Sequence, residues 1–406
     1  MLLYWIWFAE LTGLTSAQKQ QLLQQFRDPE EIYHSDIEAL SKLPGMTEKM
    51  LEALEDKALS HARQILASCG DKGIGILTLL DENYPPRLEN TFDPPLVLYY
   101  KGKLPNWEQT PLIGIVGTRK ATPYGMRAAY RYGGQIAACG GTVVSGGAAG
   151  IDTMALEGAL AAGGTVLCVF GCGVDVYYPA RNKSLFEEIS VQGCLISEYP
   201  PRTEALSWHF PRRNRILSGI SNGILVVEAP QKSGDLITAR LAMEQGREVF
   251  AVPGNVDVDA CAGSNALLQD YGIAALSGWD VMKEYQSLFP GKIAKRDTPQ
   301  SFVETLPHVA QNPAVPQLKE KPAKRIDKKS IDKEEKSSYS VVNNSAAPLN
   351  EKEQAVLDKI SREPIFVDQV IEAVGMPAGT VKALLTKLTV KGRVENHPGG
   401  RVSRKS

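Results

Sequence analysis

Between residues 111 and 285, short runs of apolar residues alternate with longer segments in which apolar positions recur every three to four residues. The apolar runs are continuous rather than interrupted by polar residues, as expected for strands buried on both faces of a parallel sheet. They occupy residues 113–117, 142–146, 165–171, 194–198, 223–229 and 248–254. Helical segments separate them, and several end shortly before a glycine, among them 124–138, 152–162 and 236–245. The pattern predicts an α/β domain with a doubly wound, mostly parallel sheet.

The first 80 residues have a helical pattern instead. Pro44 and Gly45 fall in a turn between two helical stretches, which is typical of SAM-like and helix-hairpin-helix modules. Backbone amides in such a turn can hold a DNA phosphate, because amides at a helix start carry partial positive charge. Ordinary helix packing is the alternative that we favour, because residues 46–48 of the turn are not basic and the glycine pattern of the hairpin is incomplete.

The last third of the chain changes character twice. Residues 291–349 are rich in Pro, Ser, Asn and charged residues, which predicts a disordered linker. Residues 350–406 read as three helices and two short strands around a Pro-Gly-Gly turn, the order of a winged helix. A helix-turn-helix-like motif is predicted in this module, with its second helix at residues 367–374, its turn at 375–379 and its third helix at 380–390. Basic residues cluster there, namely Lys382, Lys387, Lys391, Arg393, Arg401, Arg404 and Lys405. Contact with DNA and contact with a protein partner both remain open for this module.

We therefore expect four segments, 1–80, 81–290, 291–349 and 350–406.

The formal charge of −1 excludes a uniformly basic protein, so a nucleic-acid partner would need a local basic patch. Six cysteines without CxxC spacing and five histidines predict neither a disulfide framework nor a metal site, and a reducing cytoplasm fits best. The apolar N-terminus lacks a basic region and meets Glu10 early, and the uncharged run 158–174 is too short for a bilayer, so we expect no membrane segment.

Candidate chemistry lies in the loops after the strands, because ligands of open parallel sheets bind beyond the carboxyl ends of the strands. Gly117, Thr118 and Arg119 follow the first strand and offer amides and a guanidinium to a phosphate. Ser145 and Gly146 end the second strand in a glycine-rich turn, for which phosphate binding and simple tight turning are the alternatives. The first loop is not G-x-G-x-x-G, which disfavours a nicotinamide dehydrogenase.

The segment SWHFPRRNR places aromatic and cationic residues side by side. Its candidate residues are Phe210, Arg212, Arg213, Asn214 and Arg215. Single-stranded nucleic acid is bound by such a mixture, with arginine at the phosphates, a ring stacked on a base and an amide at a base edge. The alternative is that the ring belongs to the core and the arginines form a solvated face.

A fourth loop, EAPQKSGDLITA, starts a helix with Ser233 as its expected N-cap, next to Gly234 and Asp235. Glu228 and Asp235 could pair for acid/base work, and Asp152 and Glu198 are further acids at strand ends, but capping is the role we favour for these acids. A nucleophile elbow, a Walker lysine and a Cys/His pair are all missing from the sequence. We therefore expect no catalytic residue, no cofactor and no enzymatic activity, and we include Ser233 and Gly234 among the DNA-binding candidates.

The strings GIVGTRKATPYG, SGGAAGIDTMA, SWHFPRRNRILSGIS and VVEAPQKSGDLITARLAMEQGREVFAVPGN resemble, in this order, the bacterial DNA-processing protein A (DprA, also called Smf) family. The resemblance implies a Rossmann-like domain that binds single-stranded DNA, forms a homodimer and loads the recombinase RecA onto incoming DNA during natural transformation. It also implies that the DNA pocket is lined by Arg119, Ser145, Gly146, Phe210, Arg212, Arg213, Asn214 and Arg215.

The chain departs from the family pattern in two segments: the glycine-rich GSLGTN segment is replaced by DACAGSN at residues 259–265, and the motif after the second strand differs at two positions. Relatives typically read SGLARGIDTAAH, whereas Ala149 and Leu156 stand here in place of the Arg and the His. The competing interpretation is a nucleoside-monophosphate phosphoribohydrolase, an enzyme class that resembles this Rossmann variant. Its signature PGGxGTxxE should occur near residues 228–238 and does not. Because Arg and a single ring contact only backbone and base faces, we expect single strands to bind more tightly than duplex and with little sequence preference.

Overall fold

The apolar runs become strands of one nine-stranded sheet in a computed structural model, which describes residues 1–298, 351–363, 365–376, 378–391, 393–397 and 401–405. The strands are β1 Gly75–Thr78, β2 Val97–Gly102, β3 Leu112–Val116, β4 Thr142–Ser145, β5 Val166–Phe170, β6 Cys194–Ser197, β7 Gly223–Val226, β8 Glu248–Ala251 and β9 Ile273–Ala274. Their order is β1-β2-β6-β5-β4-β3-β7-β8-β9. Strands β3 to β9 pair in parallel, and β1 and β2 form an antiparallel edge. The predicted doubly wound, mostly parallel sheet is confirmed.

Six helices precede the sheet in the chain: α1 Leu2–Glu10, α2 Ser16–Leu23, α3 Pro29–His34, α4 Ile37–Ser41, α5 Glu48–Glu55 and α6 Ser60–Lys72. The apolar N-terminus forms α1, whose Trp5 and Phe8 are buried in a cluster that also contains residues of the sheet. The turn at Pro44 packs on α2, where the Gln21 Nε2 atom donates to the Pro44 carbonyl at 3.1 Å. The helical residues and the sheet lie within one compact unit, Met1–Leu306.

The helices that follow are α7 Pro86–Glu89, α8 Pro123–Ala138, α9 Ile151–Ala161, α10 Lys183–Gln192, α11 His209–Ile220, α12 Asp235–Glu244, α13 Ala262–Asp270 and α14 Gly278–Met282, with three-residue 3₁₀ turns at Ala180–Asn182, Asp259–Cys261 and Lys283–Tyr285. They cover both faces of the sheet. In β3, Ile113 and Ile115 pack towards α8, α9 and α10, whereas Leu112 and Val116 pack towards α11 and α12. Continuous apolar runs were therefore required by burial on both faces.

The second unit, Pro307–Ser406, contains α15 Glu351–Leu357, β10 Ile365–Phe366, α16 Val367–Val374, α17 Ala378–Val390, β11 Val394–His397 and β12 Arg401–Arg404. The three strands form a small antiparallel sheet in the order β10-β12-β11 around a core that includes Val356, Val370 and Leu388. The predicted winged-helix order is confirmed. Most of the predicted linker 291–349 lies outside the described residues. Nowhere in the described ranges is a helix both long and apolar enough to cross a membrane.

Candidate nucleic-acid interface

A cleft of about 400 Å³ opens where β3 and β7 lie side by side at the centre of the sheet. The chain leaves these two strands towards helices on opposite faces, which is the position where open α/β sheets bind ligands. Loops after β3 and β7 and the first turns of α11 line the cleft, and the structure brings together there seven of the predicted site residues: Thr118, Arg119, Phe210, Arg213, Asn214, Ser233 and Gly234.

Arg119 and Phe210 form the mouth of this cleft. The guanidinium carbon of Arg119, an exposed residue, lies 5.2 Å from the centre of the Phe210 ring. That ring is partly buried, belongs to neither hydrophobic cluster of the sheet and has the Tyr178 ring 5.4 Å away. A cation over an aromatic face is the arrangement that binds a phosphate beside a stacked base.

Arg213 lies beneath the cleft rather than at its mouth. Only 4% of it is exposed, and its Nη1 atom donates to the Gly146 carbonyl at 2.9 Å and to the Val169 carbonyl. A Cβ atom on Gly146 would come within 2.3 Å of the guanidinium, so a residue without a side chain is required there. The Ser145 hydroxyl is fully buried and donates to the Ile115 carbonyl at 2.7 Å. These residues shape the cleft from behind.

Gly117 also acts from behind the cleft. The Glu228 carbonyl oxygen would lie 2.7 Å from a Cβ atom at this position, so the glycine lets the loops after β3 and β7 approach closely. The Glu228 carboxylate is itself fully buried and accepts from the amide and the hydroxyl of Thr122, each at 2.7 Å. It holds the start of α8 and does not pair with Asp235 as the sequence allowed.

Arg212 and Arg215 project from the other side of α11, because successive side chains are about 100° apart around a helix. They line a second cleft, of about 550 Å³, between the N-terminal helices and the sheet. Arg215 is 11% exposed and forms ion pairs with Glu198 and with Asp93, the latter at 3.0 Å. Arg212 reaches Glu198 at 3.6 Å. The two arginines are therefore separated from Phe210 by the width of the helix.

Two acids for which the sequence analysis favoured a capping role, Asp152 and Asp235, line the first cleft. Burial and, to a smaller extent, the neighbouring Asp235 raise the pKa of Asp152 to about 7, although the positive charge of Arg213 acts in the opposite direction. Burial likewise raises the pKa of Asp235, whose carboxylate accepts from the Ser233 hydroxyl at 2.5 Å. Both acids lie in the first turn of a helix, after β4 and after β7, which agrees with their prediction as acids at strand ends.

Ser233 is not the N-cap of α12, contrary to our expectation. The helix begins one residue later with Gly234 as its N-cap, and the Ser233 hydroxyl instead accepts from the Asp235 amide at 3.3 Å. Two exposed lysines, Lys120 and Lys232, also line the cleft and were not among the predicted residues. Each lies next to a candidate residue in the sequence, which is the signal for them.

The departures from the family pattern lie outside the cleft lining. Leu156 belongs to α9 and is fully buried in the hydrophobic core, where it packs with apolar neighbours. Ala149 is partly buried in the loop after β4 and is not among the residues that line the cleft.

Comparison with known proteins covers nearly the whole chain. The family described as DNA recombination-mediator protein A matches residues 75–286, and the DprA winged helix domain matches residues 343–400. Protein Smf from Synechocystis sp. is 32% identical over 99% of this chain and 98% of its own length. DNA processing protein DprA from Streptococcus pneumoniae is 35% identical over 70% of this chain and 98% of its own length. The X-ray structure of the Streptococcus pneumoniae protein superposes with a TM-score of 0.62 at 32% identity, covering 70% of this chain and 98% of that one. The chain therefore belongs to the DNA-processing protein A (DprA/Smf) family.

Proposed function

We propose that the cleft between β3 and β7 binds single-stranded DNA. The observation that carries the proposal is the exposed Arg119 guanidinium 5.2 Å from the partly buried Phe210 ring at this position of the sheet. Phosphates would bind at Arg119 and the rim lysines Lys120 and Lys232, and a base would stack on Phe210. Duplex DNA keeps its bases stacked inside the helix, so the cleft should prefer a single strand.

The twelve predicted site residues divide into three roles in this proposal. The residues that contact the strand directly are Thr118, Arg119, Phe210, Asn214, Ser233 and Gly234. The residues that pack behind the cleft and fix its shape are Gly117, Ser145, Gly146 and Arg213. Arg212 and Arg215 line the second cleft, where Arg212 is 46% exposed and could follow the backbone of a longer strand.

The wider role that we propose is recombination mediation without catalysis: the protein protects incoming DNA and loads RecA during natural transformation. The family description, DNA recombination-mediator protein A, supports this role. The absence of turnover is supported by Glu228, whose carboxylate is fully buried and bound to Thr122 rather than facing the cleft. The reducing cytoplasm is supported by six cysteines that are all unpaired thiols.

We further propose a homodimer. The edge strand β9 leaves one row of backbone groups without a neighbouring strand among the described residues, and exposed apolar side chains surround it. Tyr271 is 40% exposed, Ile273 41% and Leu276 73%. An exposed apolar edge is a template for pairing with another chain, so a second copy would cover it.

One titration tests the central proposal. The full chain is mixed with a fluorescent single-stranded oligonucleotide and with a duplex of the same sequence, and AMP hydrolysis is followed in parallel. Tighter binding of the single strand without hydrolysis is expected. Equal or tighter binding of the duplex would overturn the single-strand site. Turnover that Glu228→Gln abolishes would restore the phosphoribohydrolase interpretation.

A further inference from the structure

The winged-helix unit contains a cleft that the proposed function does not use. It measures about 570 Å³ and is lined by Leu357, Ile360, Ser361, Arg362, Arg393, Arg404 and Lys405. Four of these seven residues are cations, and all four are exposed. We call these four residues, Arg362, Arg393, Arg404 and Lys405, the cationic cleft.

Backbone hydrogen bonds bring the cationic cleft together from three separate segments. The Arg404 amide donates to the Ser361 carbonyl at 2.8 Å, which ties the end of β12 to the turn after α15. The Lys405 amide donates to the Arg393 carbonyl at 2.8 Å, which ties the same strand end to the start of β11. The four cations are thus held close together by the fold, and an anion would not have to assemble them.

The cationic cleft lies at the far end of the recognition helix. Helix-turn-helix proteins read bases with the N-terminal residues of that helix, here α17, which begins at Ala378. Arg393 follows the other end of α17, and a helix of 13 residues is about 20 Å long. In the β11–β12 ladder, Val394 pairs with Arg404 at one end and His397 pairs with Arg401 at the other. The cleft therefore lies at the Val394–Arg404 end of this ladder.

Arg404 of the cationic cleft is only weakly paired. Its ion-pair partner is Asp358, whose carboxylate lies 3.9 Å away with both side chains about half exposed. Exposed pairs at this distance are weak. By contrast, Lys391 of the same basic cluster is held at 2.7 Å by the buried Glu353, so its charge is already matched within the fold. Residues 351–405 carry ten Lys and Arg against seven Asp and Glu, while the whole chain has a formal charge of −1.

We propose that the cationic cleft is a second DNA site, which holds consecutive backbone phosphates without reading bases. The guanidinium groups of Arg362 and Arg404 can each bind a phosphate through two parallel N–H bonds. An acidic protein segment would find only Leu357 and Ile360 as apolar partners in this cleft. The site lies in the other unit from the β3–β7 cleft, so it is independent of the function proposed above.

Salt dependence of DNA binding by the full chain tests this site. The variant Arg362→Gln/Arg404→Gln removes two phosphate contacts, and each contact contributes about 0.7 to the slope of log K against log salt for a single strand. We expect the slope to fall by about 1.4 and the affinity for a 40-nucleotide strand at 0.1 M salt to fall about 25-fold. The matched control is Lys352→Gln/Lys387→Gln, which changes the charge equally at two exposed residues outside the cleft and should bind like the parent.

Acetylation of lysines in the unmodified protein provides the second measurement. DNA should protect Lys405 from acetylation several-fold more than it protects Lys387 or Lys352, and the same should hold in Arg119→Ala, whose first site is weakened. Equal loss of affinity in the two double variants would overturn the proposal, as would protection of Lys387 rather than Lys405. A polyglutamate peptide of matched charge that protects Lys405 as well as DNA does would assign the cleft to an acidic protein segment instead. If Arg362→Gln/Arg404→Gln has a lower melting temperature than the parent, the single variant Arg362→Gln, at an exposed position in a turn, is used in its place.

Discussion

Replacement of Phe210 by alanine separates a DNA-stacking role from a packing role. The ring lies between the Arg119 guanidinium, 5.2 Å away, and the Tyr178 ring, 5.4 Å away, and it remains partly exposed. Base stacking on an aromatic residue is worth about 1–3 kcal/mol, so Phe210→Ala should weaken single-strand binding about 5- to 150-fold. The slope of log K against log salt should stay unchanged, because no phosphate contact is lost.

The structure also limits the effect of Phe210→Ala on stability. A phenylalanine in a well-packed core costs about 3–5 kcal/mol when truncated to alanine. Phe210 is only partly buried and belongs to neither hydrophobic cluster, so we expect a loss of free energy of unfolding of about 2 kcal/mol or less. Its affinity should therefore change more than its melting temperature.

Fluorescence anisotropy with a labelled oligonucleotide at two salt concentrations, together with a thermal melt, measures both quantities. Phe92→Ala is the matched control, because Phe92 is 90% exposed and lines neither the first nor the second cleft. The control should bind with nearly the affinity of the parent. If Phe210→Ala binds like the parent and melts early, the ring is a packing residue and the reasoning about the cleft is wrong.

Three further predictions follow from the same geometry. Arg119→Ala should lower the salt slope by about 0.7 with an unchanged melting temperature. Arg215→Ala, which removes the ion pairs with Asp93 and Glu198, should lower the melting temperature and leave the slope unchanged; anisotropy and melts on both variants decide this. Because the folded pKa of Asp152 is raised to about 7 from 3.8, the ionised form is disfavoured in the folded state, so stability should fall as the pH rises from about 4 to 7 and level off above 7. Asp152→Asn should remove that part of the pH dependence, which denaturant unfolding at pH 5 and pH 8 would reveal; an identical pH profile would contradict the raised pKa. Gly146→Ala should destabilise the protein by about 1–3 kcal/mol, because its Cβ atom would lie 2.3 Å from the Arg213 guanidinium, and a parent-like melt would show that the cleft can rearrange.

Much of the fold could be read from local pattern. Continuous apolar runs suit only strands buried on both faces, and all six predicted runs overlap a strand of the sheet. Strands β1, β2 and β9 were not predicted, and β1 and β9 are the two edge strands of the sheet. There burial is less complete, and Ile273 in β9, for example, is 41% exposed. The winged-helix segment 367–374 was predicted to the residue, since a glycine with φ of +67°, Gly375, ends the helix.

The sequence also placed the candidate chemistry in the correct loops, since ligands of parallel sheets bind beyond the carboxyl ends of the strands. It could not divide the residues of SWHFPRRNR between two clefts. That division depends on where α11 begins and on how the helix is rotated against the sheet, and these are set by packing. A shift of one residue in the helix turns each side chain by about 100°.

Only the tertiary structure decided which charges are already matched. Arg215 meets Asp93 and Glu198, Arg213 is buried against the backbone, and Lys391 meets Glu353, while Arg119 stays exposed. All of these are Lys or Arg in basic stretches that look alike in the sequence. Their partners come from segments far away along the chain, so whether a cation stabilises the fold or is left to bind DNA depends on contacts that no local pattern contains.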